Sequence, residues 1–239
     1  MNRHTLIVLC GLLAVLFAVS CSLNPTQSEG KQMKATEILN RLVDRYSSCR
    51  SYSDEGRVDF LDAYGHQEQI RFRTKFAAPN LLRFEWQDYG PRRGKSSEFS
   101  TLLIRENTAT VHYTWDPEVS HGTISMAISG VTGCSAAAAS IVLPLLCERD
   151  SHDPRGHHLF EITAPTVAGP EMVDGSRCHS VTGKWFNGDE ITLWIDASDY
   201  SLKRARRRGF HGLDDIYTFS HVTFDEIIPP KLFDPSNKP

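Results

Sequence analysis

Apolar positions change their spacing along this chain, and the changes divide it into elements. Residues 36–46 place Ile38, Leu39, Leu42, Val43 and Tyr46 on one face of a helix, with Glu37, Asn40, Arg41, Asp44 and Arg45 opposite. Thr36 is the expected N-cap. From Tyr52 the period becomes two. Residues 52–62 and 66–75 flank Ala63-Tyr64-Gly65 as a hairpin, and 81–86 alternate after the Pro79-Asn80 turn. Residues 99–105 and 108–115 flank Glu106-Asn107, and 159–164 read as a further strand. Residues 178–186 and 190–196 flank Asn187-Gly188, the strongest short hairpin signal. Strands 202–208 and 216–224 follow, then a Pro-rich extended tail, 225–239. The turn signals give roughly ten antiparallel strands.

One stretch interrupts the meander. From Ser135 to Leu146 the chain is apolar on nearly every side, including Ile141 and Leu145, with Pro144 placed to kink its end. It falls short of the roughly 20 residues a membrane-spanning helix needs. A helix that is apolar all round must be buried. In a protein built on one sheet, the place for it is the concave face. Two readings stand: ordinary core packing, which is the default, or a plug that an apolar ligand displaces.

The N-terminus is a targeting segment. Arg3 and His4 precede an uncharged apolar run, Leu6 to Val19, of secretory length. Ala18-Val19-Ser20-Cys21 follows, and a small residue before a cysteine at the end of such a run resembles the bacterial lipobox. That resemblance implies cleavage before Cys21 and acylation there, several chains together holding a protein firmly to a membrane. The alternative is a plain signal peptide with Cys21 an ordinary thiol. The expected organisation is a signal peptide over 1–20, a lipidated tether over 21–34 containing Pro25 and Gly30, and a folded domain over 35–239. Ser22, where an Asp would retain a lipoprotein at the inner membrane, points to the outer membrane, facing the periplasm.

Composition and charge narrow the function. The chain is 40% hydrophobic and 23% charged with a net charge of −3, which is globular and lacks the basic excess of a nucleic-acid binder. Besides Cys10 and Cys21 there are Cys49, Cys134, Cys147 and Cys178, an even number that suggests disulfides in an exported chain. The pairing is open. Cys134 and Cys147 at opposite ends of one helix would stand about 20 Å apart, too far to bridge; buried thiols are the alternative. None of the four lies in a C-x-x-C. No G-x-S-x-G, H-E-x-x-H, P-loop or G-x-G-x-x-G occurs, so neither an enzyme nor a cofactor is expected. His152, His157 and His158 with Asp150 and Asp153 read as an exposed loop rather than a metal site. Asp54-Glu55 and Asp214-Asp215 read as solvated edges. Arg204, Arg206 and Arg208 share one strand face, expected to be solvated, with a lipid phosphate as the alternative partner.

Three stretches together resemble the LolA/LolB superfamily of lipoprotein carriers and receptors. They are Arg73-Thr74-Lys75-Phe76-Ala77-Ala78-Pro79-Asn80-Leu81-Leu82-Arg83-Phe84-Glu85, then Trp194-Ile195-Asp196 with Ser201-Leu202-Lys203-Arg204, and the ending Val222-Thr223-Phe224-Asp225 with Leu232-Phe233-Asp234-Pro235. The resemblance implies a mainly β, α+β fold: one curved antiparallel sheet forming an incomplete β-barrel, with an N-terminal helix and an inserted helical lid or plug. It implies a non-catalytic function, binding an acyl chain or lipoprotein cargo, with a membrane contact through Cys21 and no identified protein partner. The apolar strand faces then become cavity candidates: Ile70, Phe72, Leu82, Phe84, Trp86, Val111, Tyr113, Leu193 and Ile195, with Ile141 and Leu145 from the helical segment. The alternative is a structural or interaction lipoprotein whose cavity these same residues fill.

Overall fold

Hairpin after hairpin builds one sheet, and a single long-range pairing joins its halves. The computed structural model describes residues 33–61, 65–87, 98–106, 108–147, 161–185, 188–209 and 214–234. Helix α1 (Ala35–Ser47) leads into β1 (Ser51–Leu61), β2 (Gln67–Ala77), β3 (Leu81–Gln87), β4 (Phe99–Arg105), β5 (Thr108–Tyr113) and β6 (Asp116–Gly122). Helices α2 (Ile124–Cys134) and α3 (Ala139–Leu146) follow. The second run is β7 (Thr163–Val167), β8 (Glu171–Val173), β9 (Ser176–Lys184), β10 (Glu190–Asp196), β11 (Leu202–Arg208) and β12 (Asp214–Phe224). The sheet order is β6-β5-β4-β3-β2-β1-β12-β11-β10-β9-β7, with β8 also paired to β9, and every pairing is antiparallel. The sheet is open, with β6 and β7 at its ends. This is the mainly β incomplete barrel expected.

Several boundaries differ from the periodicity, each for a local reason. Helix α1 starts one residue early: the Lys34 carbonyl receives Glu37 N and Ile38 N at 3.0 and 3.1 Å, so Thr36 lies inside the first turn. The apolar segment 135–146 is not one helix. Ala136 and Ala137 take φ of 47° and 62°, which no right-handed helix contains, and only 139–146 is helical. The preceding α2, unanticipated, is capped by Thr123, whose hydroxyl accepts from Met126 N at 3.3 Å. The strand expected at 159–164 is β7, four residues later, and 159–160 lie outside the described residues. Strand β6 (Asp116–Gly122) is mostly polar and β8 spans only three residues, so neither carries a period-two signal.

The tail is not merely extended. A 3-10 turn at Pro230–Phe233 lies on the convex face of β3, with Phe233 2% exposed and Arg83 Nη1 donating to Leu232 O at 3.3 Å. It covers the Arg83–Glu85 ion pair, 2.6 Å between Nε and Oε1 and under a tenth exposed on each side. No helix among the described residues is long and apolar enough to cross a membrane. From Lys34 onward the chain forms one compact unit.

Candidate functional site

The register of the strands sets the concave face in transverse rows. One row reads Phe219 on β12, Gly56 on β1, Phe72 on β2, Trp86 on β3 and Ser100 on β4. Its small members are as important as its large ones. A Cβ at Gly56 would stand 2.1 Å from Phe72 Cζ, so glycine leaves the Phe72 ring room to lie across β1 and meet Phe219, centroids 5.6 Å apart. Ser100 is the small neighbour of Trp86 on β4, and the Trp86 ring reaches Tyr113 at 6.0 Å. Tyr113 in turn stands 4.5 Å from Trp115, which is 37% exposed. Phe84 stacks on Trp86 at 5.7 Å and meets Phe72 at 5.9 Å. A continuous band of aromatic rings thus runs from the exposed rim at Trp115 into the buried face, at spacings favourable for ring pairs.

The next row reads Asp54, Thr74, Phe84, Leu102 and Val111. Asp54, read from sequence as a solvated edge, is 3% exposed. Its carboxylate accepts Tyr52 Oη at 2.6 Å and Thr74 N at 2.9 Å. Burial pushes its pKa up to about 6, the hydrogen bonds only partly opposing it. Asp215 is also buried, paired with Arg207, whereas Asp214 is part-exposed and pairs with Arg206.

Helix α1 covers the β11–β12 half: Tyr46 Oη accepts Leu202 N at 3.1 Å and Arg45 bonds Asp225 at 3.1 Å. Helix α2 packs against β4–β6, and α3, which packs on α2 and α1, is buried at every residue but Pro144. The structure brings Ile70, Phe72, Leu82, Phe84, Trp86, Val111 and Tyr113 together on strands β2, β3 and β5. Leu193 and Ile195 lie on β10, beyond β1, β12 and β11. Ten of the eleven cavity candidates, including Ile141 and Leu145, are at most 4% exposed; Tyr113 is partly exposed. The face is therefore filled by the protein's own helices. One polar side-chain atom on β3 of this face, Trp86 Nε1, is buried without a hydrogen-bond partner among the described residues. Such an atom costs about 1–3 kcal/mol.

Other candidates resolve plainly. No disulfide joins Cys49, Cys134, Cys147 or Cys178, which corrects the expected bridges. They sit at the ends of α1, α2 and α3 and on β9, and Cys49 Sγ instead contacts its local carbonyl of Tyr46 at 3.0 Å. Burial pushes the thiols of Cys49, Cys147 and Cys178 up to about 11, about 12 and about 11, so they are poor nucleophiles. The Arg204, Arg206 and Arg208 row is partnered by Asp174, Asp214 and Glu190, so its charge is met within the sheet. The loop holding Asp150, His152, Asp153, His157 and His158 lies outside the described residues, as does Cys21. Among the described residues no group of three or more His, Cys, Asp or Glu is placed to hold a metal ion.

Sequence reasoning missed Gly56, Ser100, Phe219 and Trp115 as members of the aromatic band. The alternation of Tyr217 and Phe219 was visible, but membership of one row depends on register between strands far apart in sequence.

An open antiparallel sheet with helices on one face is the incomplete barrel that this chain forms. No protein-family model matches the sequence, and no curated protein matches it. Among solved structures, an uncharacterised conserved protein from Thermus thermophilus superposes with a TM-score of 0.53 at 10% identity, covering 85% of this chain and 96% of its own. MucB superposes at 0.50 and 10% identity; the match covers 85% of this chain and 63% of MucB. A LolA superfamily protein from Nitrosomonas europaea matches at 0.39 and 10% identity, over 85% of this chain and 99% of its own. At these identities the likeness is one of fold.

Proposed function

We propose that this protein is a lipid-anchored envelope protein, tethered at Cys21, that binds an acyl chain or the lipid moiety of a lipoprotein on its concave face and performs no catalysis. One observation carries the reading. An apolar sheet face has α2 packed against β4–β6, with α3 packed in turn on α2 and α1, and neither α2 nor α3 holds a charged residue. Apolar burial contributes roughly 25 cal/mol per Å² whichever apolar surface supplies it. A hydrocarbon chain is thus a fair exchange for α3, whose apolar contacts are generic. The hinge is at hand in the left-handed Ala136 and Ala137. The fold is one shared with proteins named for lipoprotein sorting, and an envelope location follows from that reading and from the N-terminal segment.

The burial of ten of the eleven candidates favours a second reading, an envelope protein with a permanently self-filled core that acts through a protein partner. A fluorescent fatty-acid analogue separates the two. With Cys21→Ser protein, which carries no acyl chain of its own, the probe is expected to bind saturably and quench tryptophan emission. Folded protein that shows no saturable binding overturns the lipid reading and leaves the second.

A further inference from the structure

We infer that Trp86 Nε1 is the polar anchor of the bound chain, donating a hydrogen bond to a neutral acyl carbonyl, that of an ester or amide, held just inside the rim. The inference rests on the lipid reading and adds to it the chemical class of ligand and the residue that selects it. Trp86 is fully buried, yet its indole N–H has no partner among the described residues, while rings on either side fix its position: Phe84 stacked at 5.7 Å and Tyr113 edge-on at 6.0 Å. An indole nitrogen can only donate, so what completes it is an acceptor. The described residues supply none, and a hydrocarbon chain alone supplies none either.

Position and charge narrow the acceptor. Trp86 is one ring in from Tyr113, which touches the 37%-exposed Trp115, so its indole stands between the exposed end of the aromatic band and the buried Phe84, Leu82 and Leu102. A lipid with its head group outside and its chain inside would bring its carbonyl to this depth. The row through Trp86 (Phe219, Gly56, Phe72, Ser100) holds no cation, and the nearest carboxylate row holds Asp54. Among the described residues of that row nothing would compensate the buried carboxylate of a free fatty acid, which makes it strongly unfavourable there. A neutral carbonyl meets no such penalty.

The test uses Cys21→Ser protein and three competitors that displace the fluorescent probe, read from the probe's own emission: methyl myristate, hexadecane and myristate. The first two have the same number of chain atoms and differ in the ester group. Wild-type Trp86 is expected to favour the ester over the alkane by about tenfold, one net hydrogen bond, and to favour it over the free acid at neutral pH. In Trp86→Phe the ester-to-alkane ratio is expected to fall to about one. A purely structural role would weaken both competitors together and leave the ratio unchanged. A ratio near one in the wild type, or an unchanged ratio in the variant, overturns the anchor while leaving the lipid reading intact. Stronger binding of the acid overturns the neutral-carbonyl assignment. Absence of binding by the probe and all three overturns the lipid reading itself. Should Trp86→Phe fail to fold, the carbonyl stretch of ¹³C-labelled methyl myristate bound to the wild type decides. A stretch below that in a hydrocarbon solvent supports the bond; an unshifted one overturns it.

Discussion

Asp54 is held in the apolar face by two donors, Tyr52 Oη and Thr74 N, and its proton is bound more tightly in the folded protein than in the unfolded chain. Its folded pKa of about 6 lies above the ordinary value of 3.8. The contribution is therefore fully present below the ordinary value and is lost as pH rises through the folded one. Asp54→Asn keeps the shape and an acceptor for Thr74 N but cannot ionise. Urea denaturation from about pH 4 to about pH 7 is expected to show the wild type losing on the order of 3 kcal/mol relative to the variant. Parallel curves would show that the carboxyl is not perturbed. The sequence misleads here because adjacent acidic residues in a strand look alike, whereas the pleat sends Asp54 inward and leaves Glu55 exposed.

Helices α2 and α3 are held differently from the strands they cover. Strand β1 is hydrogen-bonded on both sides, to β2 and β12, whereas α3 spans eight residues with no side-chain cap and no charge. Besides Ser135 Oγ accepting Ala139 N at 3.3 Å, it is retained by packing, and short helices are marginal without packing. Hydrogen exchange is expected to be faster for the amides of Ala139–Leu146 than for those of β1 and β2, with acyl-chain binding changing the helices more than the strands. Equal protection throughout would argue for a fixed core. Elements of this kind were legible to different degrees. Strands β9 and β10 follow from the turn signal and the alternation, since Asn187-Gly188 and the Ile191, Leu193, Ile195 spacing leave one register. Helix α2 was not legible, because Gly130 and Gly133 dilute its apolar stripe. The break at Ala136 and Ala137 was not either, because alanine is the best helix former and only tertiary packing turns it left-handed. The apolar candidates on β2, β3 and β5 were readable from period two; the place of Phe219 in their row was not, because it depends on β1 meeting β12.

For the whole molecule, the proposed tether at Cys21 is expected to be separable from the domain. Cys21→Ser is expected to move the protein from the membrane fraction to the soluble periplasmic fraction without loss of fold, since residues from Lys34 onward make one compact unit. Fractionation like the wild type, with no mass change from lipid, would count against the lipid anchor. Among the described residues the convex face offers no comparable ligand site: its open cleft of about 320 Å³ is lined by Arg105, Glu106, Thr108 and Thr110 around Leu103. The paired arginines of β11 leave that face without a free cationic row.

The pairing of Tyr52 with Phe224, and of the rest of β1 with β12, has a consequence in time rather than in space. Strands β1 to β6 can assemble locally as each hairpin arrives, but the first strand made must wait for the last. Until about residue 224 is available, the future centre of the sheet is a bare edge, with unpaired N–H and C=O groups and an apolar face beside them. Closure across so long a separation is slow compared with hairpin formation. A chain delivered to its compartment N-terminus first would expose that edge throughout its passage, making mispairing there the principal hazard of its biogenesis and the emergence of β12 the event that ends it.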